Sequence, residues 1–107
     1  MRYVNVIDWH VVPFRTDQFI DTWTPVAERV MAFGARGWSL TRNGDDTLHF
    51  RQTSVWDDKD DFYDYWHGTE IMEARERAMS WYHKPVLPEW HLIVGANEAS
   101  AMIDTSG

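Results

Sequence analysis

Two similar tripeptides carry an acid, an indole and an imidazole near opposite ends of the chain: Asp8-Trp9-His10 and Glu89-Trp90-His91. Each is followed by aliphatic residues and fits a β-strand. Together with His49 on a third predicted strand, their imidazoles would bind zinc or iron if all three shared one face and level of the sheet. Separate histidines bonded to backbone or carboxylate groups explain the same residues, and we predict no metal site.

An imidazole can also act as a general base near neutral pH. We predict His10 or His83 as this base and Asp8 as the group that orients it. Removal of a phenolic or benzylic proton would leave an electron-rich carbanion that can pass one electron to dioxygen without a cofactor. His83 also has a structural interpretation, since it follows a predicted helix whose dipole favours a cation there.

Aromatic residues supply the predicted walls of a substrate site. The 107 residues include seven Trp, four Tyr and five Phe, whereas Leu occurs only four times. Rings often line pockets for flat ligands, although they also fill cores. We predict substrate contacts from Arg51, which would bind a substrate carboxylate or pair with Asp8, and from the rings of Trp56, Tyr65, Trp66 and Trp81.

The overall composition excludes several classes of protein. A net charge of −7 disfavours nucleic acid and anionic lipid as partners, and the absence of cysteine excludes thiol chemistry. No apolar run approaches the ~20 residues of a membrane span, and the first residues do not resemble a signal peptide. We therefore expect a cytoplasmic protein with one domain over residues 1–95 and a polar tail over 96–107.

The predicted elements alternate as β-α-β-β-α-β, the split βαβ pattern of an α+β, ferredoxin-like fold with an antiparallel sheet. The strands are predicted at 2–12, 38–42, 47–56 and 89–95, with Asn43-Gly44 in the hairpin. Right-handed crossovers give the order β4-β1-β3-β2. We expect the helices to cover one face and Trp, Tyr and Val to cover the other, which favours a homodimer with facing sheets, that is, a dimeric α+β barrel.

Two segments resemble the antibiotic-biosynthesis monooxygenase superfamily of small dimeric proteins. One runs from Gly34 to Trp38 into the hairpin, and the other is Ser54–Trp66, where a strand ends in Trp, acidic residues follow and a helix opens with an aromatic residue. The resemblance covers roughly residues 2–95. It implies the ferredoxin-like fold and one of several activities: cofactor-independent oxygenation, quinol oxygenation or haem degradation.

The haem-degrading branch pairs an Asn on the first strand with a Trp and an axial His in the helical region. Asp8, Tyr65 and Ala74 or Arg75 would occupy those positions here, so a haem protein would need His67 or His83 as its ligand. The cofactor-independent oxygenases use an Asn on the first strand and a Trp.

Val4-Asn5 and Trp56 match the asparagine and tryptophan of the oxygenase branch. Asn5 and Asp8 differ by an odd number, so only one can face a pocket under the helices, and we favour Asp8 with His10.

The sequence thus predicts a small-molecule monooxygenase that joins dioxygen to an electron-rich aromatic substrate without a cofactor. A haem-binding or haem-degrading protein is the first alternative. An aromatic cyclase, or a binding protein of the same fold with no catalytic activity, is the second.

Overall fold

A computed structural model describes residues 2–97, and the predicted tail lies outside these residues from position 98 onward. The elements are β1 (Tyr3–His10), α1 (Thr16–Glu28), β2 (Gly37–Arg42), β3 (His49–Trp56), α2 (Lys59–Trp66), α3 (Thr69–Arg77) and β4 (Glu89–Leu92). Short 3₁₀ segments follow α1 at Arg29–Phe33 and α3 at Met79–Trp81. Among the described residues, no helix is long and apolar enough to cross a bilayer.

The four strands form one antiparallel sheet in the order β2-β3-β1-β4, as predicted. β1 and β3 pair along their full length, from Tyr3 opposite Trp56 to His10 opposite His49. Together with helices on one face, this order makes an α+β, ferredoxin-like fold, which confirms the predicted class.

The alternation of β1 decides which side chains face the helices. Asn5, Ile7 and Trp9 are fully buried on the helix-facing side. Asp8 and His10 point to the other side, which we call the open face. The two parities of this strand are both mixed in character, so the pattern of apolar residues alone could not assign them.

The open face differs from the expectation of Trp, Tyr and Val. The strand indoles Trp9 and Trp56 lie on the helix-facing side and are fully buried. The open face instead carries valines at one end, where Val4 and Val55 form a small cluster, and titratable side chains at the other. The predicted apolar patch is therefore smaller and less aromatic than expected.

Packed rings fill the space between the sheet and the helices. Trp9 lies 4.6 Å from Trp23 of α1 and 4.9 Å from Tyr82, measured between ring centroids. Phe62 of α2 stacks on Trp66 at 5.8 Å. Such ring pairs add to the free energy of burial, and they make this layer the core of the molecule.

A proline and a glycine decide how the chain runs from α1 towards β2. Pro25 predicts a kink or a break into two short helices, but α1 continues through Pro25 to Glu28 and tightens into 3₁₀ geometry only afterwards. Gly34 ends this segment with a φ of +108°, and a Cβ there would lie 3.0 Å from an Asp61 carboxylate oxygen. Glycine fits both the left-handed backbone and the close approach.

Candidate functional site

A groove of about 630 Å³ lies between α3 and the segment 79–86, and we call it the α3 groove. This volume is in the range of small-molecule sites. Its apolar walls are Met72, Met79, Tyr82, Pro85 and Val86, and its polar walls are His67, Thr69, Glu73, Arg75, Glu76 and Lys84.

The exposure of the two groove methionines differs from what the sequence predicts. The spacing of apolar residues predicts a core-facing helix stripe that includes Met72 and Met79, yet these side chains are 50% and 47% exposed. Ile71, Ala74 and Ala78 occupy the buried stripe instead. Because successive helical residues are 100° apart, Met72 is turned away from the stripe that Ile71 joins.

Two cationic side chains of the groove rest on aromatic rings. The Arg75 guanidinium carbon lies 4.2 Å from the Trp66 ring centroid, and the Lys84 ammonium lies 5.5 Å from that of Tyr82. Lys84 also donates to the Met79 carbonyl at 2.8 Å, and the Tyr82 hydroxyl donates to the Arg75 carbonyl at 3.3 Å. These contacts hold two positive charges beside apolar surface in a groove that Glu73 and Glu76 also line, so an anion would be attracted locally, at Arg75 and Lys84.

A buried hydrogen-bond network occupies the centre of the core. The Gln52 side-chain oxygen accepts from the indole nitrogens of Trp9 at 3.3 Å and Trp23 at 2.9 Å. Its amide nitrogen donates to the Tyr65 hydroxyl, which donates to the Val26 carbonyl at 2.9 Å. Burial raises the pKa of Tyr65, so this phenol stays protonated and serves as a donor.

Asn5 is a second buried amide on the same side of the sheet. It lies opposite Ser54 on β3 and Trp90 on β4 and has no exposed surface. Within the described residues, neither its side-chain oxygen nor its nitrogen has a hydrogen-bond partner. An unpaired buried amide costs about 1–3 kcal/mol, so Asn5 contrasts with Gln52, whose side-chain oxygen and nitrogen both have partners.

Titratable side chains gather at one end of the open face, and we call Asp8, His10, His49 and Arg51 the sheet-face cluster. The Asp8 carboxylate accepts from the Nε of Arg51 at 3.0 Å and lies 2.8 Å from Nε2 of His49. The His10 and His49 rings stack at 4.6 Å. Burial alone would raise the pKa of Asp8, but these hydrogen bonds and nearby positive charges lower it overall.

The sheet separates the two sets of predicted site residues. Asp8, His10 and Arg51 lie on the open face. His83 is beside them, since its backbone N–H donates to the His10 carbonyl at 2.8 Å. The predicted walls Trp56, Tyr65 and Trp66 are buried on the other side, and Trp81 packs against the same core.

The expectation that Asp8 and His10 share a pocket under the helices with those walls is therefore wrong. Asn5 takes the helix-facing position because it has the opposite parity. The Asp8 carboxylate contacts the imidazole of His49, which lies diagonally across the ladder, and the guanidinium of Arg51 directly opposite, rather than the expected His10.

The alternative metal triad does not form, for a reason of register. His10 lies opposite His49, but His91 lies opposite Val4, six residues along β1. Six strand residues span about 20 Å, which is far beyond the reach of a shared metal ion. Within residues 2–97, no three His, Cys, Asp or Glu side chains are grouped to hold a metal.

The α3 groove also bears on the haem alternative. Arg75, at the position compared with the axial histidine, lines the groove and stacks on Trp66. A guanidinium stays protonated and offers no lone pair to iron. The residues here therefore do not fit the axial arrangement of the haem-degrading branch, and His67 is the imidazole that lines the groove.

Solved structures share this architecture. A protein from Nitrosomonas europaea, provisionally named an antibiotic biosynthesis monooxygenase, superposes with a TM-score of 0.78 over 92% of this chain and 93% of its own, at 15% identity. A similarly named protein from Caulobacter crescentus gives 0.77 over 88% and 91%, at 16% identity. The chain therefore shares the fold of these proteins, which confirms the fold that the resemblance implied.

One structure with this fold has a more specific name. SnoaB from Streptomyces nogalater, a cofactor-independent oxygenase, superposes with a TM-score of 0.75 over 90% of this chain and 96% of its own, at 13% identity. No protein-family model and no curated protein sequence matches the chain.

Sequence reasoning missed the groove residues Arg75, Tyr82 and Lys84 as a group. They are separated in sequence and meet because α3 ends at Arg77 and the chain turns back along it. One signal was available, since Met72 directly follows Ile71, and adjacent helical residues point about 100° apart, so the two do not centre on the same side of the helix.

Proposed function

We propose that the α3 groove binds a flat, acidic aromatic molecule, of the anthrone or hydroquinone type, and that the protein oxygenates it without a cofactor. The observation that carries this proposal is the Arg75 guanidinium stacked on Trp66 beside the Tyr82 ring. Rings and methionine side chains offer a surface for a planar ligand, while Arg75 and Lys84 attract its ionised oxygen.

The proposed reaction needs a base and a stabilised anion. His67 lines the groove and accepts the proton of the substrate, and Arg75 and Lys84 stabilise the negative charge that remains. The carbanion passes one electron to dioxygen, and the two radicals combine to a peroxide. Loss of water then gives a carbonyl, so an anthrone CH₂ and O₂ yield a quinone C=O and H₂O.

His83 is the second candidate for the base, because it directly follows Tyr82 of the groove. Asp8, His10 and Arg51 lie across the sheet and do not line the groove.

Two expectations about the protein in the cell remain proposals. A homodimer with facing sheets draws support from the valine cluster of Val4 and Val55 on the open face. The second of these proposals is that the protein is located in the cytoplasm. The name of SnoaB supports cofactor-independent chemistry in a protein of this fold, and for this chain the reaction is our proposal.

The test is oxygen uptake by the purified, metal-free protein with a panel that includes 1,8-dihydroxyanthrone and substituted hydroquinones. We expect uptake with at least one compound, and formation of one quinone for each O₂ consumed. Absence of uptake with every compound that binds would leave a cyclase or a binding protein. Haem titration of the same sample addresses the haem alternative, which predicts a Soret band that His67→Ala removes.

A further inference from the structure

We propose that Met72 is a modification site: hydrogen peroxide oxidises its thioether to the sulfoxide, and the new oxygen accepts a hydrogen bond from the Arg75 guanidinium. Met72 belongs to α3 and lines the α3 groove. Three features single out this methionine, which are its exposure, the contact of its sulfur with Arg75 and the fixed position of that guanidinium. The oxidation does not depend on the reaction proposed for the groove.

A charged donor already contacts the exposed sulfur-bearing side chain. Met72 is 50% exposed, and a terminal nitrogen of Arg75 lies 3.7 Å from its Sδ. The two residues are three positions apart on α3, which places their side chains next to each other. The guanidinium also lies on the ring of Trp66, which is almost fully buried. The positive charge is therefore held beside the sulfur.

The reaction is a two-electron oxidation of the sulfur. A sulfur lone pair attacks one oxygen of hydrogen peroxide, so that an S–O bond forms and the O–O bond breaks. The proton on the transferred oxygen passes to the departing oxygen, which leaves as water. Negative charge develops on the departing oxygen, and the N–H donors of Arg75 stabilise it. Met72 should therefore react faster than an equally exposed methionine that lacks such a donor.

The sulfoxide changes what Arg75 can bind. A thioether sulfur is only a weak acceptor, whereas oxidation makes this apolar side chain polar and adds an oxygen next to the guanidinium. That oxygen competes for Arg75 with the acidic ligand of the groove, a consequence that rests on the proposed function. Oxidation therefore weakens binding of the ligand, and reduction of the sulfoxide restores it.

The first test follows the methionines of the purified full-length protein by peptide mass spectrometry during mild treatment with hydrogen peroxide. Met31 is the internal control, because it is 47% exposed but lies in the 3₁₀ segment after α1, outside the groove. We expect Met72 to be oxidised about threefold faster than Met31, and Arg75→Gln to remove this difference. Equal rates in the unmodified protein, or a difference that persists in Arg75→Gln, would overturn the proposal.

The second test measures how the sulfoxide affects Arg75 itself. Phenylglyoxal labels arginine side chains, and Arg77 is the control because it lies on α3 but outside the groove. After oxidation we expect slower labelling of Arg75 and unchanged labelling of Arg77. In Met72→Leu, which has no sulfur to oxidise at this position, peroxide should change neither rate. Unchanged labelling of Arg75 after complete oxidation of Met72 would contradict the proposed contact.

Ligand binding separates this inference from the proposed function. The probe is 1,8-dihydroxyanthraquinone, the quinone expected from the anthrone, titrated with tryptophan fluorescence as the signal. We expect oxidation to raise its Kd several-fold in the unmodified protein and not in Met72→Leu. An unchanged Kd after oxidation of Met72 would overturn the effect on binding. If the unoxidised protein binds no such ligand, the proposed function fails, and the oxidation and labelling rates still decide the proposal for Met72.

Discussion

The Arg75 guanidinium lies 4.2 Å from the ring centroid of Trp66, whose own side chain is almost fully buried. Arg75 lines the α3 groove and covers the indole, so Trp66 lies behind the groove wall rather than in it. Since the ring is fixed in the core by contacts with Trp9 and Phe62, it also fixes where the positive charge lies. Arg75 therefore connects a buried core residue, Trp66, with the groove in which we propose that the ligand binds.

Negative charge added to the groove should weaken binding of an acidic aromatic. Met79→Glu places a carboxylate beside Lys84 at a position that is 47% exposed, so we expect little change in stability and a several-fold higher Kd. Ser80→Glu adds the same charge at the next, exposed residue, which does not line the groove. Equal effects of the two changes on the Kd would argue against the groove as the site.

Asn5→Leu should leave the free energy of unfolding unchanged or raise it by about 1 kcal/mol. The substitution removes two buried polar atoms that have no partner within the described residues and keeps a similar shape. A gain of this size would raise Tm by roughly 4–8 °C. A fall in Tm of several degrees would mean that the amide is paired in solution.

Gln52→Met should have the opposite effect. Loss of the side-chain oxygen leaves the indole N–H groups of Trp9 and Trp23 buried without an acceptor. We expect the free energy of unfolding to fall by about 2–4 kcal/mol, measured by urea denaturation. Together with Asn5→Leu it forms a matched pair of amide replacements on one face, and similar results for both would contradict the contrast that we draw.

The pH dependence of stability should report the Asp8 interactions. Because the folded-state pKa of Asp8 is lowered, its ionised form stabilises the fold above the unfolded pKa of about 3.9. This contribution is lost as the pH falls through the lower, folded-state pKa. The difference in unfolding free energy between the unmodified protein and Asp8→Asn should therefore be constant near neutral pH and shrink below about pH 4.

Asp64→Asn, on an exposed face of α2, is the control for this measurement. We expect it to show a smaller difference at neutral pH than Asp8→Asn. A difference for Asp8→Asn that grows as the pH falls would contradict the direction of the Asp8 shift.

The order of the elements and of the strands was predictable from the sequence. Asn43-Gly44 marked the hairpin, and the crossover rule placed β1 between β3 and β4. The faces of β1 were not predictable in the same way. Both parities of this strand mix apolar and polar residues, so Asn5 and Asp8 could be assigned only from the packing of β3 and the helices.

The candidate site was harder to predict than the fold. Trp66 was expected as a wall of the substrate site, but it does not line the groove and is separated from it by Arg75. The groove itself depends on where α3 ends and how the segment after it returns, and helix ends are not fixed by the periodicity of apolar residues. Helical periodicity alone therefore assigned Met72 and Met79 to the core.

The most direct test of the α3 groove compares the kcat/KM for oxygen uptake of the unmodified protein with those of two variants, using the best acidic aromatic of the panel. Arg75→Gln removes the cation on Trp66, whereas Arg77→Gln removes an exposed cation from the same helix outside the groove. Our account predicts at least a tenfold loss for Arg75→Gln and little change for Arg77→Gln. Equal kcat/KM values for all three proteins would contradict it.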